Sequence, residues 1–206
     1  MTTKNICIFG DSIAYGAWSR EGGWADRLQL ALQRRTLDSG FQEYYFLYNA
    51  SIPGDTSEDV ARRFAVEQEA RDPDVIVFAV GINDASSRGG RDGARVALGQ
   101  FEKNMKALVE EAMTGRSREY VVVIGLTRVD EEHTTPFENT YFFNERIASY
   151  DTALHRICRE SGARYVDVSR ILASEDLADG LHPNDNGHEK MFRHILRFLD
   201  AEDVLR

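Results

Sequence analysis

A chain of 206 residues, set against about 150 residues per domain, is read as one domain spanning 1–206, long enough to bury a core without staples. Its 34 acidic and 25 basic residues give a net charge of −9, the wrong sign for binding by phosphate neutralisation, so no nucleic-acid partner is expected. Two cysteines, Cys7 and Cys158, are too few for a disulfide framework or zinc knuckle; with no signal-type opening and no apolar stretch near ~18 residues, a cytoplasmic protein without a membrane span is expected.

Residues 4–10 (KNICIFG) form an apolar run that predicts a buried strand. Trp24, Leu28 and Leu32 then recur at i, i+4, i+8 on one face of a helix over 24–37. Tyr44 to Asn49 reads as a second strand, and Thr56 or Ser57 can cap a short helix carrying Val60 and Phe64. Val75 to Val80 is apolar throughout, as a strand covered on both faces should be. Phe101, Met105, Leu108, Val109 and Ala112 stripe the next helix, and Tyr120 to Leu126 is a fourth strand. Residues 127–141 show no period and carry Pro136, which predicts a loop. Phe143, Ile147, Tyr150, Leu154 and Ile157 mark a helix that Gly162 stops. Arg164 to Val168 is a fifth strand, and Met191, Ile195, Leu196 and Leu199 mark a last helix. Strands and helices alternating without repeat or linker predict a parallel sheet with helices on both faces.

Open parallel sheets bind ligands beyond the carboxyl ends of their strands, and the polar residues of this chain gather there. Gly10-Asp11-Ser12 ends the first strand, Pro53-Gly54-Asp55 follows the second, Gly81-Ile82-Asn83-Asp84 ends the third, and Asp179 to Asn184 follows the fifth. Each segment has a plain structural use. Ser12, Asn83 and Asn184 stand at helix starts, where Ser and Asn are favoured caps, and Gly54 and Gly81 suit tight turns. Jointly they offer acyl-transfer chemistry. A serine hydroxyl needs a base to take its proton, and the base needs a third group to fix its tautomer. Asp179 and His182, three residues apart around a turn, can fill those two roles and leave one ring nitrogen for Ser12. The chain order Ser, Asp, His is that of α/β-hydrolases, although the G-x-S-x-G elbow is missing. A helix start behind Ser12 would offer a backbone N–H to a developing oxyanion, Asn83 a side-chain amide, and Gly54 an unobstructed third donor.

The blocks Phe9-Gly10-Asp11-Ser12, Gly54, Gly81-Ile82-Asn83-Asp84 and DGLHPNDNGH (179–188), in this order, resemble those of the SGNH, or GDSL, hydrolase family. That resemblance implies a flavodoxin-like three-layer α/β/α sandwich with a five-stranded parallel sheet of order 2-1-3-4-5. It implies a small-molecule ester as substrate, and no metal or other cofactor. It makes Ser12 the nucleophile, His182 the base and Asp179 its orienting partner, with Ser12, Gly54 and Asn83 forming the oxyanion hole. Short acyl esters, thioesters, lysophospholipids and acetylated sugars all remain open as substrates. The segment 125–128 lacks the proline-rich stretch many members show there, so substrate-wall contacts do not transfer. A flavin- or nucleotide-binding module on the same sheet is disfavoured, because no G-x-G-x-x-G or G-x-x-x-x-G-K-[ST] follows a strand.

Tyr15, Trp18 and Ile82 are the candidate substrate contacts, whereas Trp24 belongs to a core stripe. Asp11 is expected to bond loop amides. His133, His155, His188 and His194 have no site role in this reading. Residues 127–141, with Phe137 and Tyr141, are expected to form a mobile cover near the site.

Overall fold

The computed structural model describes residues 2–114, 120–134 and 139–205. Strand β1 (Thr2–Gly10) leads into the one-turn helix α1 (Ser12–Tyr15), then α2 (Trp24–Asp38), β2 (Glu43–Asn49) and α3 (Ser57–Arg71). Next come β3 (Val75–Ala79), the one-turn α4 (Ile82–Ala85), β4 (Ser87–Arg88), α5 (Leu98–Thr114) and β5 (Tyr120–Ile124). The chain continues through β6 (Thr140–Tyr141), α6 (Asn144–Ser161), β7 (Arg164–Val166) and α7 (Asp185–Ala201).

Five strands form one parallel sheet in the order β2-β1-β3-β5-β7. This is the expected 2-1-3-4-5 arrangement once the short strands β4 and β6, which form their own antiparallel ribbon, are left uncounted. Ile6, Cys7, Ile8 and Phe9 alternate between the two faces of β1, yet all four are fully buried, so helices cover both faces. Phe9 meets Phe64 of α3 edge to face at 5.0 Å, and Phe64 packs on Phe78 of β3 at 5.3 Å. Cys7 and Cys158 are free and buried, and burial pushes both thiols up to about 12.

Three expectations are corrected in detail. Helix α3 is not short: it runs 15 residues because its next inward position, Gln68, is polar but buried, and donates to Glu111 Oε1 at 3.1 Å. Strand β5 stops at Ile124 rather than Leu126, because Leu126 N–H is taken by Asp151 Oδ1 at 2.8 Å. The loop 127–141 is not irregular throughout, since Thr140 and Tyr141 pair with Arg88 and Ser87. Pro136 and Phe137 lie outside the described residues.

Candidate active site

Ser12 follows directly on the end of β1. A Cβ at Gly10 would stand 2.6 Å from Ala14 Cβ and 2.7 Å from Ala79 O, so only glycine lets α1 fold back this tightly over the strand. Asp11, not Ser12, is the cap of α1, and its Oδ1 accepts from Ile13 N–H at 3.0 Å. Ser12 is thereby the first helical residue, and its hydroxyl is not spent on capping. Burial pushes the Asp11 carboxyl up to about 7, against the pull of the Ile13 N–H; the charges of Asp84 and Asp55 push it further the same way.

The other half of the pair comes from the turn before α7. Asp179 Oδ1 accepts from the backbone N–H groups of Leu181 (3.0 Å) and His182 (2.8 Å), a local bond pattern that Asp favours. Its Oδ2 lies 2.8 Å from His182 Nδ1, and His182 Nε2 lies 2.9 Å from Ser12 Oγ. Burial would raise the Asp179 carboxyl, but the bonds from the His182 backbone and ring outweigh it and hold the group below the usual carboxylate range. Asn184 caps α7, accepting from Asn186 and Gly187 N–H, while Lys190 bonds buried Asp176 at 2.6 Å and fastens the block from below.

Asn83 and Gly54 are brought together on the neighbouring strand ends. Asn83 does not cap α4: Gly81 holds that position, and Asn83 Nδ2 instead donates to Asp55 O at 3.0 Å. Gly54 stands in the adjoining turn with φ of 85°, a conformation that admits glycine readily. The same segment is tied to the end of β1 by Ile52 N–H donating to Gly10 O at 3.1 Å. Behind them, buried Asp84 accepts from Ser57 N–H at 2.9 Å and Ser57 Oγ at 2.5 Å, joining α4 to the start of α3. Burial raises the Asp84 carboxyl to about 6, and the Ser57 hydroxyl and amide oppose it. Neither Asp84–Ser57 nor Asn83–Asp55 was foreseen from sequence.

Of the candidate contact residues, Tyr15 and Trp18 are 56% and 65% exposed, and Trp18 Nε1 lies 3.0 Å from His182 Nδ1. Ile82 is 2% exposed and lines a cavity of about 20 Å³ with Asp11, Ile13 and Trp24. The start of the 127–141 segment does lie against the site, since Asp130 N–H donates to Gly180 O at 2.8 Å.

His188 also gains a role. It is fully buried on α7, where Nδ1 accepts from Trp24 N–H at 3.2 Å and clamps α7 to the start of α2. Burial lowers its pKa from 6.5 to about 4, so the folded protein holds the ring neutral. A base with a depressed folded pKa contributes stability that is present above pH 6.5 and lost as pH falls toward 4. The shift corresponds to about 3 kcal/mol. Urea unfolding at stepped pH should therefore show a shallower loss of stability between pH 6.5 and 4 in His188→Gln than in the intact protein. Equal slopes would remove His188 from the acid sensitivity.

The comparisons with known proteins bear on this geometry. A model of the GDSL-like lipase/acylhydrolase family matches residues 8–190. The chain belongs to that family. A multidomain esterase of Ruminococcus flavefaciens is 25% identical over 97% of this chain, which spans only 29% of that protein's length. The isoamyl acetate-hydrolyzing esterase 1 homolog of Mus musculus is 23% identical over 96% of this chain and 82% of its own. Among solved structures, an acetylxylan esterase from Geobacillus stearothermophilus superposes with a TM-score of 0.75 at 20% identity, covering 94% of this chain and 93% of that one. Among the described residues, no helix is long and apolar enough to cross a membrane.

Proposed function

We propose that this GDSL-family protein is a serine hydrolase of acetyl and other short-acyl esters, working through an acyl-enzyme on Ser12. One observation carries the reading: the unbroken hydrogen-bonded line from Asp179 Oδ2 through His182 to Ser12 Oγ, at 2.8 and 2.9 Å. His182 takes the Ser12 proton as the hydroxyl attacks the ester carbonyl, and later returns it to the leaving alkoxide. Asp179, held ionised, keeps the ring oriented and balances the imidazolium. Water then attacks the acyl-enzyme with His182 again as base. The Ser12 and Gly54 N–H groups and the Asn83 amide serve the oxyanion. The short-acyl preference draws on the names of the relatives, which concern acetyl esters of an alcohol and of xylan, and on exposed Tyr15 and Trp18, which offer flat apolar faces to an alcohol or sugar moiety. A chain-length series of p-nitrophenyl esters run beside acetyl-xylo-oligosaccharides tests it: rates should fall steeply beyond short acyl groups.

Asn83 separates catalysis from tethering. An oxyanion donor acts mainly in the transition state, so Asn83→Ala should lower kcat by about 10²–10³ with KM within about threefold. Loss of the bond to Asp55 O should also lower the melting temperature by roughly 2–4 °C. A mutant that melts earlier yet turns over at a near-normal rate would reduce Asn83 to a tether.

A further inference from the structure

Trp18 stands out in two respects. Its φ of 66° lies in the left-handed region that bulky residues rarely adopt, and the residue is 65% exposed while its ring meets the His182 ring edge to face at 5.8 Å. The flanking backbone is pinned on both sides. Ala17 N–H donates to Ser12 O at 3.0 Å, and Asp185 Oδ1 accepts from Ser19 Oγ and Arg20 N–H at 2.7 Å each. The side chain projects from this fixed backbone and reaches only as far as the His182 ring edge.

The indole Nε1 lies 3.0 Å from His182 Nδ1, and Asp179 Oδ2 lies 2.8 Å from the same nitrogen. An imidazole nitrogen carries either a proton or an in-plane lone pair. The indole N–H can only donate and needs the lone pair; the carboxylate can only accept and needs the proton. The two contacts therefore exclude each other. With Nδ1 protonated and bonded to Asp179, Nε2 bears a lone pair and can take the Ser12 proton. With Trp18 bonded, the neutral ring's proton sits on Nε2, which then faces Ser12 as a donor and cannot act as a base.

We propose that Trp18 is a positioning residue that competes with Asp179 for His182 Nδ1. It holds part of the free enzyme in the unproductive tautomer until a bound ester displaces the indole. The interchange conserves protons: Nε2 gives one to water, Nδ1 takes one from water, and the ring is neutral before and after. An ester with a flat apolar alcohol part covers the exposed indole and draws it off Nδ1, whereas ethyl acetate is too small to do so. Trp18 thus links the size of the alcohol moiety to the readiness of the base. This inference rests on the reading of Ser12, His182 and Asp179 as the hydrolytic set.

Trp18→Phe keeps an aromatic ring and removes the N–H. Two readouts are compared with the intact enzyme: the ¹⁵N shifts of the His182 ring, and kcat/KM for ethyl acetate beside phenyl acetate. The variant should move His182 toward the Nδ1–H tautomer and raise kcat/KM for ethyl acetate by about twofold or more, the gain when a competent fraction of about one half or less becomes one. The gain for phenyl acetate should be smaller. Identical tautomer populations in the two proteins, or an ethyl acetate rate that is unchanged or lower, would overturn the proposal. Fluorophosphonate labelling separates the two levels. Labelled Ser12 with unchanged tautomers defeats the Trp18 role alone, whereas failure to label Ser12 in the intact protein defeats the hydrolytic reading and this inference with it.

Discussion

Ser12→Ala is expected to lower kcat on p-nitrophenyl acetate by about 10⁶-fold, the scale of losing the nucleophile in a serine hydrolase. The variant keeps the Asp11 cap and the Gly10 turn, so α1 should stay folded, and far-ultraviolet circular dichroism should be unchanged. What disappears is the one hydroxyl within 2.9 Å of His182 Nε2 in this hydrogen-bonded line. A residual rate within about tenfold of the intact enzyme would mean that water, activated by His182, attacks the ester directly. That outcome would fit a general-base hydrolase without an acyl-enzyme.

Asp179→Asn should cost about 10⁴ in kcat while sparing the fold. Asparagine retains an Oδ1 that can accept from Leu181 and His182 N–H, so the turn before α7 persists. The new amide takes the place of Oδ2 and presents N–H groups to His182 Nδ1. The ring must then place its proton on Nε2, facing Ser12, which is the tautomer that cannot act as a base. A melting temperature close to the intact protein's, combined with the large fall in kcat, is the expected pair of results. A comparable loss in KM alone would assign Asp179 to substrate binding.

Much of this arrangement is visible in the chain because its causes are local. The central strands are apolar throughout, which marks burial on both faces, and Trp24, Leu28 and Leu32 keep the helical period that α2 buries. The Asp179–His182 pairing is legible for the same reason, since a carboxylate bonding N–H groups two and three residues on is decided within four residues. What escaped depends on partners far away in sequence. Nothing near Trp18 announces an approach to His182, 164 residues later. For Asn83, expected as an oxyanion donor, the plain alternative was a helix cap; Gly81 takes the cap position, and the Asp55 carbonyl, supplied by another strand end, accepts from its amide. The buried Gln68 hid one turn of α3 for a similar reason: its burial depends on Glu111 of α5. For His188 a signal was present. It sits three residues before Met191, on the buried stripe that continues through Ile195 and Leu199.

The central claim is a covalent acyl group on Ser12, and trapping it is the most direct test. The enzyme is mixed with excess p-nitrophenyl acetate, quenched with acid during turnover, digested and mapped by mass spectrometry. The account predicts one acetyl group per chain, on the peptide spanning Gly10–Tyr15 with the modification at Ser12, in Asn83→Ala as well as in the intact enzyme and absent from Ser12→Ala. Acetylation at another residue with full activity, or rapid turnover with no trapped acetyl group at Ser12, would contradict it.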